Sequence, residues 1–224
     1  MTLLYFLGAI IIGYLLGSIP FGRFYVKLLK GKDIETIGSG RTGGTNSMRA
    51  GGWRIGVITA FSDVIKGMMA LFLTRWVMTQ LGVGVELLPW LEAATGTATV
   101  FGHNWSIFYK FRGGAGTGPN IGWSAVIWAP IFPVAVVVMV GMIFLVGWAS
   151  LGSFAMAVIV PICFGWLYFS GADVLAAHPA YFVGGLLTLA FVTYSLRPNF
   201  ERLWRGEERV VGLRAYWLKQ QAGE

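Results

Sequence analysis

The chain has 224 residues, of which 56% are hydrophobic and only 12% charged, about half the charged share of an ordinary globular domain, so the composition excludes a typical soluble fold and points to a polytopic membrane protein. Its formal net charge of +7 does not imply a nucleic-acid partner. Fifteen of the seventeen Lys and Arg residues fall in three hydrophilic stretches beside apolar runs, where membrane orientation and anionic lipid headgroups account for them.

In chain order, helices are predicted over residues 3–22, 53–75, 89–108, 119–129, 132–147, 150–169 and 179–194. The first runs into a basic loop rather than a small-residue cleavage site, so it is expected to stay in place as a membrane span. Pro130 and Pro133 divide the fourth segment from the fifth. The fourth is short against the roughly 20 residues a crossing needs, which requires shielding by neighbouring protein. Seven crossings with the amino terminus outside put segments 23–54, 110–118 and 197–224 inside, with seven, two and six basic residues, and leave only Arg75 in the outer loops. The positive-inside rule selects that arrangement, with a cytoplasmic carboxyl terminus. The reading is therefore an all-α integral membrane protein, a seven-transmembrane-helix bundle forming one domain over residues 1–224. The lone Cys163 lies in an apolar run and reads as a buried, inert thiol, so neither a disulfide framework nor a thiolate metal site is expected.

Two runs on the inner side carry the chemistry. Gly38-Ser39-Gly40-Arg41-Thr42-Gly43-Gly44-Thr45-Asn46 and Arg112-Gly113-Gly114-Ala115-Gly116-Thr117-Gly118 are too glycine-rich to hold a helix. Both read as loops leading into helices. Backbone amides in such turns form anion sites, reinforced by the helix amino end that follows, although flexible connectors would have the same composition. Neither run is a nucleotide loop, because no strand precedes it and no Gly-Lys-Ser/Thr tripeptide follows. Gly13 and Gly17, one turn apart, read as a packing face. Asp63 and Lys66 share a face of the second span, where a lone charge costs on the order of 3 kcal/mol. They form either a structural pair or a substrate contact. His103 is a hydrogen-bonding or acid-base candidate without a second metal ligand, and His178 reads as solvated on the outer side.

Along nearly the whole chain, Gly17-Ser18-Ile19-Pro20-Phe21-Gly22, Gly38-Ser39-Gly40 with Thr45-Asn46 and Arg49, Asp63 with Lys66-Gly67, Gly102-His103, Gly113-Gly114 with Gly116, and Asn199 with Arg202-Leu203 and Gly206-Glu207 follow in order. This series resembles the bacterial acyl-phosphate:glycerol-3-phosphate acyltransferase family. The resemblance implies a multi-pass protein of the bacterial cell membrane, without metal or other cofactor. Its partners would be membrane lipid, acyl phosphate and glycerol 3-phosphate, and its product lysophosphatidic acid. It assigns Ser39 and Arg49 to the reacting phosphates and Asn199 to glycerol phosphate. Gly38, Gly40, Arg41, Asn46, His103, Gly113, Gly114 and Gly116 would complete the phosphate-binding surroundings.

The chain also departs from that family. Ala115 stands where the family has lysine, Leu196 where it has histidine, Arg41 where it has asparagine, Ser106 where it has proline, and Gly147 where it has a basic residue. These changes fit an enzyme with a rearranged site, an altered acceptor, or a noncatalytic descendant serving as an accessory subunit among other membrane subunits.

Overall fold

Long apolar runs satisfy their backbone groups in lipid only by forming helices, and the computed structural model, which describes residues 1–221, is helical nearly throughout. The α-helices are α1 (Thr2–Gly17), α2 (Phe21–Lys30), α3 (Gly44–Gly51), α4 (Trp53–Gln80), α5 (Leu88–Asn104), α6 (Thr117–Ile127), α7 (Ile131–Leu145), α8 (Ala149–Phe169), α9 (Pro179–Trp204) and α10 (Gly212–Gln221). Among the described residues, four helical stretches are long and apolar enough to cross a membrane: Thr2–Lys30, Trp53–Gln80, Ala149–Phe169 and Pro179–Trp204. Residues Ile131–Leu145 form a shorter apolar helix. Leu3, Ile11, Phe61, Phe72 and Trp166 are exposed on these helices, as the surface of a bundle solvated by lipid requires. The chain is an integral, multi-pass membrane protein.

Several boundaries differ from the sequence reading, among them the second helix, which runs on to Gln80, and the third, which ends at Asn104. The first predicted helix is two helices, because Pro20 supplies no N–H and the chain breaks over Ser18, Ile19 and Pro20 before α2 resumes. Residues 23–54, read as a connector, hold α2 and α3, and Gly44, Thr45 and Asn46 at the end of the first glycine run begin α3. The seventh segment continues past residue 194 to Trp204 because charged side chains do not end a helix. Gly206, at φ +72°, lies just beyond its end. His178 is not simply solvated: its Nδ1 caps α9 by accepting the Ala180 N–H at 3.2 Å, and its ring packs edge-on against Trp90 and Tyr181. Cys163 is only half-buried.

The centre of the bundle is α5, which packs against α1, α4, α6 and α9. The α1–α5 seam is close because a Cβ on Gly17 would stand 2.2 Å from the Thr99 carbonyl oxygen, and one on Gly13 would stand 2.3 Å from that of Thr95. Backbone cannot yield as a side chain does, so Gly17→Ala is expected to lower stability by about 1–3 kcal/mol. Denaturant unfolding in detergent checks this, and an unchanged midpoint would contradict it. At the end of the bundle away from the glycine runs, Arg75 pairs with Glu92, which also accepts the Tyr181 hydroxyl at 2.6 Å. That group joins α4, α5 and α9.

Candidate functional site

The first glycine turn is held by one amide. Asn46, buried in the first turn of α3, reaches back so that its Oδ1 accepts the Ser39 N–H at 3.0 Å. Its Nδ2 donates to the carbonyls of Ile37 at 2.9 Å and Arg41 at 3.0 Å. Gly38 and Gly40 adopt φ of +56° and +69°, which glycine alone adopts freely. The Ser39 hydroxyl is half-buried and accepts the Arg41 N–H at 3.5 Å. Arg49, one helical turn beyond Asn46, is exposed, and its stem passes over Gly38.

The second turn follows a tight loop after α5. Ser106 donates its N–H to the Arg112 carbonyl at 3.2 Å, and Lys110 and Phe111 both lie at positive φ between them. Gly113 and Gly114 are glycines for a different reason from Gly38. A Cβ on Gly113 would meet the His103 carbonyl oxygen at 1.9 Å, and one on Gly114 would meet His103 Nε2 at 2.0 Å. The turn therefore lies flat against the end of α5. Gly40 and Gly114 use their own N–H groups inside the turns, on the Ile37 and His103 carbonyls at 2.9 and 3.0 Å. Their contribution is shape. Gly116, at φ +83°, starts α6.

The two turns face one another. The Thr42 N–H donates to the Gly113 carbonyl at 3.2 Å, and Arg112 pairs with Glu35 at 3.1 Å. From α9, the Ser195 hydroxyl donates to the Gly114 carbonyl at 3.1 Å, while the Arg41 guanidinium donates to the Ser195 carbonyl. Ser195 thus joins both runs to the last membrane helix.

Beneath the turns, Lys66 Nζ lies 3.0 Å from Asp63 Oδ1 and 2.8 Å from His103 Nδ1, and it donates to the Ile19 carbonyl at 2.9 Å. All three side chains are buried. The ammonium therefore serves the Ile19 carbonyl at the α1–α2 break, which also accepts the Phe21 N–H at 3.1 Å, as well as its carboxylate partner. An ammonium donating to Nδ1 leaves the proton of the neutral imidazole on Nε2, against Gly114. His103 supports the second turn from below.

Asn199, on α9, donates from Nδ2 to Glu208 Oε1 at 2.7 Å, and its buried Oδ1 has no partner among the described residues. Glu208 also accepts from Ser150 Oγ at 3.1 Å and from Arg202 Nε at 2.9 Å. The sequence reading missed Glu208. It stands in a charged run that resembles headgroup-binding tail, and only its neighbour Glu207 belonged to a motif. Burial pulls the Arg41 guanidinium down to about 10, Arg202 adds repulsion and Glu208 partly offsets both. Partial desolvation along its stem also lowers Arg49, with Arg209 and Arg202 repelling it and Glu208 opposing them. Both remain cationic at neutral pH.

The apolar replacements face inward. Leu196 lies in the same core cluster as Val100, Ile121 and Val192, and Ala115 packs against that cluster. Ser106 donates its hydroxyl to the Ser18 carbonyl, and so ties this loop to the α1–α2 break. At Gly147, φ +81°, the space for a side chain is occupied by the Arg214 stem from α10, whose guanidinium lies 4.5 Å above the Trp148 ring and donates to the Val146 carbonyl at 3.1 Å. A positive charge is present there, but another element supplies it.

An apolar cavity of about 580 Å³ opens between α1, α5 and α9, with Tyr14, Trp90, Ala98, Phe101, Leu187 and Phe191 among its walls. A second, of about 620 Å³, shares Phe101 and Phe191 and adds Trp105, Phe111 and Tyr194. Phe111, which lines the second cavity, lies in the loop leading to the second glycine turn.

A family model described as glycerol-3-phosphate acyltransferase matches residues 7–206. The glycerol-3-phosphate acyltransferase of Thermotoga petrophila is 34% identical over 208 residues, covering 91% of this chain and 95% of that relative. Its counterpart in Lawsonia intracellularis is 33% identical over 203 residues, covering 90% and 93%. The crystal structure of PlsY (YgiH), an integral membrane glycerol 3-phosphate acyltransferase, in its glycerol 3-phosphate form superposes with a TM-score of 0.76 at 30% identity, over 95% of this chain and 98% of that one. The lysophosphatidic acid form of PlsY gives 0.75 at 29% identity, over 92% and 95%.

Proposed function

The chain belongs to the glycerol-3-phosphate acyltransferase family, and from that premise we propose that it transfers a fatty acyl group from acyl phosphate to glycerol 3-phosphate, giving lysophosphatidic acid for phospholipid synthesis. The observation that carries this reading is the meeting of the two glycine turns through the Thr42–Gly113 hydrogen bond, with Arg41, Arg49 and Arg202 gathered at the same end of the bundle.

The acceptor's 1-hydroxyl oxygen forms a bond to the acyl carbon, the bond from that carbon to the phosphate oxygen breaks, and the hydroxyl proton leaves within hydrogen phosphate. Acyl phosphate is already activated, so the protein has to supply orientation and electrostatic support for the developing oxyanion and the departing phosphate. In this reading Ser39 and Arg49 contact the reacting phosphates. The N–H groups of Gly38, Gly113 and Gly116 complete the cradle, and Asn199 contacts the acceptor. Asn46, Gly40, Gly114 and His103 hold its shape. The apolar cavities beside α5 and α9 keep the acyl chain out of water.

The same proposal places α1 and α4 to α9 in a bacterial cell membrane as seven spans of one domain, with α2, α3 and α10 at the surface. Residues 23–54, 110–118 and 197–224, which hold fifteen basic residues, then lie in the cytoplasm and the amino terminus lies outside. An accessory-subunit role is the weaker reading, since a scaffold gains nothing from several arginines brought around a single carboxylate.

Purified protein in bilayers, given acyl phosphate and labelled glycerol 3-phosphate, is expected to put label into lipid with one inorganic phosphate released per transfer. Label no higher than in a protein-free control overturns the assignment.

A further inference from the structure

The reaction just proposed brings two phosphate groups together, the monoester of glycerol 3-phosphate and the mixed anhydride of acyl phosphate, each carrying a charge of about −1.5 to −2 at neutral pH. Arg41, Arg49 and Arg202 each have the Glu208 carboxylate within electrostatic reach, and Arg209 adds repulsion at Arg49. Positive charge therefore outweighs negative around Glu208, as a site for two such anions requires. The arginines are not equivalent. Arg49 is exposed on α3 beside Gly38 and Ser39, whereas Arg41 is turned toward α9 and anchored on the Ser195 carbonyl. One of its five N–H donors serves that anchor. Its largest electrostatic neighbour is Arg202, and Glu208, their shared counter-charge, is already bonded to Ser150, Asn199 and Arg202.

Next to this arginine pair stands the Asn199 amide. Its Nδ2 is held by Glu208, and its buried Oδ1 lacks a partner. An amide oxygen only accepts, so the missing partner is a donor. A glycerol hydroxyl is a donor, and an acyl phosphate dianion offers none. Ala115 and Leu196, on the neighbouring segments, supply no charge, so the positive charge for a phosphate on this side comes from arginine.

We propose that Arg41, with Arg202 and its partner Glu208 on the same side, forms a separate phosphate subsite on the α9 side of the two glycine turns that holds the phosphate of glycerol 3-phosphate, while Arg49 serves the acyl phosphate. Arg41 is then the residue that selects a phosphorylated acceptor in this chain. The inference rests on the acyltransferase reading, and binding measured apart from turnover separates the two.

The test compares wild type, Arg41→Gln, Arg41→Lys and Arg49→Gln in bilayers by equilibrium binding of labelled glycerol 3-phosphate and by steady-state kinetics, with thermal unfolding confirming that each variant is folded. Loss of a charge-assisted phosphate contact is expected to weaken glycerol 3-phosphate binding about 10 to 100-fold in Arg41→Gln. The KM for that substrate should rise alike, while the KM for acyl phosphate stays within about twofold. Arg41→Lys should recover part of the binding, and Arg49→Gln should show the opposite split. Unchanged glycerol 3-phosphate binding in a folded Arg41→Gln overturns the subsite, as does an equal rise in both KM values. Wild type that binds glycerol 3-phosphate through Arg41 but transfers nothing leaves the subsite standing and overturns the acyltransferase reading instead.

Discussion

Arg49→Ala is expected to lower kcat/KM for acyl transfer by about 100 to 1,000-fold, the usual cost of removing one electrostatic contact to a charge-developing group. The side chain is exposed on α3 and its stem lies over Gly38, so the substitution takes away a cation without opening the core. The backbone of the first turn is held by Asn46 and not by Arg49, and the variant should therefore remain folded. Arg49→Lys keeps the charge but loses the planar fork that matches phosphate, and should fall between the two. Steady-state kinetics in bilayers, with the unfolding midpoint measured on the same samples, separates these effects. Wild-type turnover by Arg49→Ala would remove this residue from the phosphate contacts.

Lys66→Met is expected to cost about 3–5 kcal/mol of stability, the range for breaking a buried ion pair by deleting one partner. It leaves the Asp63 carboxylate buried without its 3.0 Å counter-ion and removes the donor to both the Ile19 carbonyl and His103 Nδ1. The loss is therefore felt at the α1–α2 break and under the second glycine turn together. Removing both charges is cheaper than removing one, so Asp63→Asn combined with Lys66→Met should be more stable than Lys66→Met alone. Denaturant unfolding of the set gives the coupling directly. Additive losses would mean that the two side chains act independently despite their geometry.

Much of this architecture was legible because lipid imposes a simple rule on sequence: the apolar runs became helices, and the glycine-dense runs became turns over their first parts, with their last residues starting α3 and α6. What stayed hidden were contacts between residues far apart in the chain. The break at Ser18-Ile19-Pro20 lies inside an apolar run that reads as one span, and the charged group that braces it through the Ile19 carbonyl is Lys66, 47 residues away. Glycine content marks a turn but not its cause. Gly38 is required by its positive φ, whereas Gly113 is required by the His103 carbonyl pressed against it. Ala115 and Leu196 were visible as lost polar groups, yet nothing local indicates that Arg41 reaches Ser195 or that Glu208 draws the arginines together. A basic residue in a cytoplasmic loop has the same local signature whether it binds headgroups or substrate. Arg214 filling the space over Gly147 depends on a helix outside the family match, which ends at residue 206.

Locating the phosphate is the most direct measurement. In a crystal structure of the protein soaked with glycerol 3-phosphate, the phosphorus is expected between the two glycine turns, on the α9 side, within hydrogen-bond reach of the Arg41 guanidinium and with a glycerol hydroxyl on Asn199 Oδ1. A phosphate bound outside the turns, or a space between them closed by apolar side chains while the ligand sits elsewhere, would contradict it.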